Sequence, residues 1–147
     1  MLENTWGTTK DCSNKYNSRF YAVIVQYTSR LATPTLEKYV RSLIPGASRN
    51  NYHLRSAKAE DVARLTYASY NGVCPIGNKV DIPIILSARL LDVPTGWMWV
   101  GGGEPELKLA FPVQEFIKHT GCFVADIAED GLSLDEEVPQ EPASVSV

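Results

Sequence analysis

The stretch FYAVIVQYTSRLATPTLEKYVRSLIPG, residues Phe20 to Gly46, decides the fold class. Its opening run, Phe20–Tyr27, is dominated by β-branched and aromatic side chains, which predicts a strand that is well buried. Thr33-Pro34 follows as helix N-cap and first helical residue. Leu36, Tyr39, Val40, Leu43 and Ile44 then recur at the spacing of one helical face, so a single apolar stripe looks toward a core. Pro45-Gly46 ends that helix.

Downstream, Tyr52–Leu54 is a candidate short strand, and Ser56 is placed to cap a second helix from Ala57 to about Thr66 that buries Val62 and Leu65. A long polar loop, Tyr67–Asp81, is punctuated by Asn71-Gly72, Pro75 and Gly77. Ile82–Leu86 is the next strand, with Pro83 pointing to a sheet edge or a strand start. Ser87–Leu91 reads as one helical turn, and Trp97–Val100 as a strand running into Gly101-Gly102-Gly103. Leu107–Phe111 is a further strand. Pro112 opens a third helix whose Val113, Phe116 and Ile117 share a face, Thr120-Gly121 closes it, and Cys122–Ile127 is the last strand. Upstream, residues 1–19 are polar and aperiodic apart from Trp6. Residues 129–147 are acidic and nearly free of aromatics, the composition of a disordered tail. Helices and strands mix without strict alternation, so the class is α+β.

At 147 residues, with 44% hydrophobic and 21% charged side chains, the chain is one domain able to bury a core. No apolar run reaches the roughly 18 residues of a membrane helix. The N-terminus has no apolar region of a secretory signal, and Cys12, Cys74 and Cys122 form neither an even set nor a C-x-x-C. The expectation is a cytoplasmic protein without disulfides. Six of the 17 acidic residues fall after residue 128, leaving a body of net charge +3, and residues 1–64 hold ten basic against five acidic side chains. That asymmetry permits a polyanionic partner, and Lys38, Arg41, Arg55 and Lys58 are the candidates to meet its phosphates. A solvated helix face explains the same residues equally well.

Familiar catalytic motifs are missing: there is no P-loop, H-E-x-x-H or G-x-S-x-G. His119 suits the last turn of a helix, where a cation meets the dipole, and His53 reads as a surface strand residue; no metal site follows from the pair. Gly101–Gly103 is a strand-to-strand bend free of side chains. It reads either as a plain turn needing positive φ or as a nest of amides facing an oxyanion. The dinucleotide fingerprint fails at Glu106 and leads into a strand. Asn71–Gly77 is a second backbone-shaping loop, and its Cys74 has no neighbouring base in sequence to activate it.

Taken in order, R-L-T-x₄-N-G-V-C-P-I-G, D-I-P-I-I-L, W-V-G-G-G-E-P-E-L-K-L, a helix and F-V-A-D-I are far more specific than any one of them. Over roughly residues 20–128 this text resembles the YbaK/prolyl-tRNA synthetase-associated editing-domain family. The resemblance implies a mixed, strongly curved sheet with three main helices packed around it. It implies hydrolysis of the ester bond of mischarged aminoacyl-tRNA without metal or organic cofactor. The implied partners are the mischarged aminoacyl-tRNA and an aminoacyl-tRNA synthetase, with no DNA and no membrane. The family's loops fall on Gly72–Pro75 and Gly101–Gly103. Backbone amides of Gly72, Gly101, Gly102 and Gly103 would hold the ester carbonyl, and Asn71, Val73, Cys74 and Pro75 would line the substrate. The family's functional lysine falls just upstream of Met1, on a strand that continues as Met1–Asn4, so residues 1–19 read as the remnant of a strand and loop. Lys10 and Lys15 lie in a polar loop and are not substitutes. The alternative is a tRNA- or synthetase-binding module of the same fold without catalysis.

Overall fold

The computed structural model describes residues 1–69 and 71–131. The apolar run that starts at Phe20 becomes β2 (Phe20–Ile24), and the helix after it becomes α1 (Thr33–Ser42). Ahead of them lies β1 (Leu2–Asn4), and between them β3 (Ser29–Leu31). After α1 come β4 (Leu54–Ser56), α2 (Ala59–Leu65) and β5 (Ile84–Ser87). A 3₁₀ turn at Ala88–Asp92 leads to β6 (Trp97–Gly101), β7 (Lys108–Pro112), α3 (Val113–Thr120), β8 (Phe123–Ala125) and β9 (Ala128–Asp130).

The central sheet runs β4-β1-β2-β5-β8. β1 is antiparallel to both β4 and β2, whereas β2, β5 and β8 are mutually parallel. This accounts for the nearly unbroken hydrophobic text of those three strands, because parallel strands are covered on both faces. In β2, Phe20, Ala22 and Ile24 face one cluster with Ile84 and Leu86, capped by Leu65 of α2, Val113 and Phe116 of α3, and Met98 and Val100 of β6. Tyr21 and Val23 face the other, with Ile85, Ala125, and Leu36 and Val40 of α1. The sheet is the middle of three layers.

The α+β class and the three helices stand, but the strongly curved sheet does not. The five-stranded sheet is open, and β3-β9 and β6-β7 are separate two-stranded ribbons. Other boundaries shift for local reasons. Ala32 and Lys58, not Thr33 and Ser56, occupy the helix N-cap positions, and Ser56 is instead drawn into β4 opposite Leu2. Pro83 marks a strand start, not an edge: β5 lies between β2 and β8, and the Pro83 carbonyl accepts the Ala22 N–H at 2.9 Å. The first three residues of the expected tail, Glu129–Gly131, are described, and Glu129 and Asp130 pair with β3. The remainder, 132–147, lies outside the described residues.

At the N-terminus, β1 is held by polar groups. Glu3 receives the Arg19 guanidinium at 2.6 Å, and the buried Asn4 side chain donates to the Asn51 carbonyl and accepts the His53 N–H, each at 3.0 Å. No helix among the described residues is long and apolar enough to cross a membrane.

Candidate functional site

The two glycine loops meet. The 67–81 loop leaves α2 through Thr66, whose buried hydroxyl donates to the Val62 carbonyl at 2.9 Å and accepts the Ala68 N–H at 3.2 Å. Ser69 N–H then donates to the Gly103 carbonyl at 2.8 Å, Gly103 N–H donates to the Gly72 carbonyl at 2.8 Å, and Gly72 N–H turns back to Ser69 at 2.9 Å. The Ser69 hydroxyl donates to the Glu104 carboxylate at 2.6 Å. Asn71 takes φ +62°, a conformation that asparagine tolerates better than most side chains.

Contact this close explains the glycines. A Cβ on the buried Gly72 would sit 2.6 Å from the Gly103 oxygen and 2.7 Å from the Glu104 carbonyl carbon. A Cβ on Gly101 would overlap the Val73 carbonyl oxygen. Gly103 is needed for a different reason: its φ is +106°, in open space. The glycines therefore serve two purposes, close approach at positions 72 and 101 and backbone shape at 103.

The same bonds limit which amides can bind a carbonyl. Gly72, Gly102 and Gly103 donate to Ser69, Leu107 and Gly72 respectively, so their N–H groups are already engaged. The bond from Gly102 to Leu107 makes that opposed pair a hydrogen-bonded one, and antiparallel pairs alternate. Gly101, opposite Lys108, is therefore a non-hydrogen-bonded position whose N–H points away from β7. Of the three glycines in the turn, Gly101 is the one whose N–H is not taken by these loop bonds.

Of the other sequence candidates, Asn71, Val73 and Cys74 lie on the same loop, with Cys74 half-buried and its carbonyl accepting the Asn78 side-chain amide at 3.1 Å. Pro75 is buried and forms the rim of a cleft of about 540 Å³, lined also by Ile76, Ile82, Lys15, His119 and Cys122. This cleft begins where the glycine loop ends instead of at the glycine junction. Burial pushes the Cys122 thiol up, opposed by a hydrogen bond involving Thr120, so it is held as the neutral thiol. Lys38 and Arg41 line another hollow with Arg49 and Tyr52, to which neither glycine loop contributes. Lys58 lies 3.7 Å from Glu60, and Arg55 is exposed on β4. The basic candidates thus form no single patch with the glycine junction.

Neither Ser69 nor Glu104 is among the site residues expected from the sequence, yet their side chains tie the loops together. The signal available was the placement of an acid directly after the glycine run. Among the described residues no group of three histidine, cysteine or carboxylate side chains is arranged to hold a metal ion.

No family model matches the chain, and no curated protein matches it. Solved structures do. The chain is similar to a candidate trans-editing enzyme for prolyl-tRNA synthetase, at 29% identity and TM-score 0.62 over 74% of this chain and 62% of that one. It is similar to a hypothetical protein of known crystal structure, at 27% identity and TM-score 0.60 over 74% of this chain and 65% of that one. It is also similar to a scaffold protein from a study of computational epitope-backbone grafting, at 28% identity and TM-score 0.61, again over 74% and 65%. The chain therefore spans less than two thirds of the length of each of these structures. The mixed α+β fold described above is similar to that of a candidate trans-editing enzyme.

Proposed function

We propose that the chain carries the core of an aminoacyl-tRNA deacylase site, which hydrolyses the ester between a wrong amino acid and the tRNA 3′ end. The observation that carries this reading is the meeting of the Gly72 and Gly101–Gly103 loops through direct backbone hydrogen bonds. The similarity to a candidate trans-editing enzyme supports it.

The chemistry asked of the site is modest, because an ester is already activated. Water adds to the ester carbonyl carbon, the bond to the ribose oxygen breaks, and the ribose oxygen takes the proton, releasing free amino acid and uncharged tRNA. Negative charge grows on the carbonyl oxygen during addition, and a preorganised N–H aimed at it contributes on the order of 10²–10³ in rate. Gly101 N–H is the donor in our reading, with the Gly72–Val73 backbone fixing the approach. The amino-acid side chain is directed along the loop toward Pro75, where the neighbouring cleft offers room. A tRNA-Pro mischarged with alanine or cysteine is the first substrate to test, against the buffer rate of ester loss. Faster loss with the protein supports the reading, and a rate equal to buffer on every mischarged tRNA removes it.

A second reading, RNA binding without hydrolysis, draws on the hollow where Lys38, Arg41 and Arg49 come together beside Tyr52. Binding that weakens steeply with salt, without turnover, would favour it over the first.

A further inference from the structure

The β6–β7 ribbon has two dissimilar faces. Met98 and Val100 of β6 and Leu109 and Phe111 of β7 enter the core, as the period of two requires. The opposite face carries Trp97, Trp99 and Gly101, opposed in register by Pro112, Ala110 and Lys108. Trp99 is 72% exposed and Trp97 51% exposed. Two tryptophans on one strand, alternating with buried residues, ordinarily mark a surface that meets something. Their cross-strand neighbours are too small to cover them: Ala110 offers one methyl to the Trp99 indole, and Pro112 a single ring to Trp97.

We propose that this face is a stacking platform for the unpaired nucleobases at the 3′ end of an RNA. The inference rests on the deacylase reading and deepens it by naming what holds the substrate's nucleic-acid portion. Three features select this occupant. The row ends at Gly101, over whose outer face the Val73 carbonyl lies, so a strand stacked on Trp97 and Trp99 delivers its terminus to the glycine junction. Trp99 is the same-face neighbour of Gly101, one side-chain repeat or about 7 Å away. Lys108, exposed and directly opposite Gly101, supplies a cation for a phosphate, while the nearby Glu104 carboxylate is occupied by the Ser69 hydroxyl. Indole faces accept any base, so the platform is sequence-tolerant and leaves specificity to the pocket that reads the amino acid.

The test uses the full chain and a 5′-labelled single-stranded RNA ending in CCA-3′ with no amino acid attached, read by fluorescence anisotropy. Trp99→Ala is expected to weaken binding at least about fivefold, the lower end of what one base stack contributes. Trp99→Phe, which keeps a stacking face, is expected to restore most of the loss, and Lys108→Ala to flatten the salt dependence. Sealing the same 3′ end into a duplex should weaken binding to the wild-type protein. Equal affinity for Trp99→Ala and wild type overturns the platform, as does absence of RNA binding by the wild type. It is equally overturned if Trp99→Ala changes the oligomeric state while RNA affinity stays put, which would make the face a contact between copies of the chain. Hydrolysis of mischarged tRNA, followed in parallel, separates the two readings. Binding sensitive to Trp99 without hydrolysis removes the deacylase and keeps the platform, whereas hydrolysis with a KM indifferent to Trp99 does the reverse.

Discussion

Replacing Gly72 by alanine tests the meeting of the loops directly. The added Cβ would stand 2.6 Å from the Gly103 oxygen, where real contacts essentially never fall below 3.0 Å. Relief to an ordinary contact requires about 0.8 Å of movement, and every atom in the way is backbone. Moving the Gly103 carbonyl lengthens its bond to Ser69 N–H, and moving the Gly103 peptide lengthens the bond to the Gly72 carbonyl, both 2.8 Å at present. Overpacking costs about 1–3 kcal/mol, and each weakened hydrogen bond about 1 kcal/mol. The lost chain freedom of glycine in the unfolded state returns about 0.4–1 kcal/mol. The net is a destabilisation of about 2–4 kcal/mol, or roughly 6–12 °C in Tm for a domain of this size. Gly102→Ala is the milder comparison: its Cβ would meet the Leu107 side chain at 2.6 Å, which is 49% exposed and can turn aside, and its one backbone contact, the Leu107 oxygen, lies at 3.1 Å. Its cost should stay below about 1 kcal/mol. Denaturant unfolding of both variants, compared at equal m-value, reads the difference. Equal stability of Gly72→Ala and wild type, or equal losses for the two variants, would refute the reasoning.

Arg19→Ala leaves the Glu3 carboxylate buried without its guanidinium, and a loss of about 3 kcal/mol is expected in denaturant unfolding. The double variant Glu3→Leu with Arg19→Met should recover most of it. Asn71→Ala places an ordinary side chain at φ +62° and should cost about 1 kcal/mol, whereas Asn71→Gly should be close to neutral by the same measurement. Tyr21 supplies a pH dependence. Burial pushes its phenol up to about 12 from an ordinary value of 10, partly offset by the Ser18 N–H it accepts. The folded state thus holds this proton more tightly than the unfolded state does. The stability it contributes is complete below pH 10 and is lost as pH rises through 12, a decline of about 2–3 kcal/mol. Alkaline unfolding of Tyr21→Phe should show a correspondingly shallower slope across that interval.

The parallel core was legible because its strands are hydrophobic on both faces and α1 follows with a clean stripe. Leu2–Asn4 was not recognised as a full sheet member from periodicity, since two of its three residues are polar. Glu3 and Asn4 are buried by virtue of partners far along the chain, Arg19, Asn51 and His53, which no local pattern reveals. Glu129 and Asp130 have the composition of a tail, yet they pair with β3, because backbone pairing needs no apolar side chains. Arg30 lies 3.7 Å from Glu129, and Arg89 reaches Asp130 at 2.7 Å. The two glycine loops could be linked before any coordinates only through family resemblance. Which amides remain after the loops bind one another depends on register. That is why the turn as a whole was expected to donate, and why Gly101 carries the role in the present account.

Ester loss from mischarged tRNA-Pro, measured with wild-type protein, Gly101→Ala and Trp99→Ala side by side, tests the deacylase site most directly. The expected result is acceleration by the wild type, little or none by Gly101→Ala, and a raised KM with Trp99→Ala. Decay at the buffer rate with the wild type, or full activity in Gly101→Ala, would contradict it.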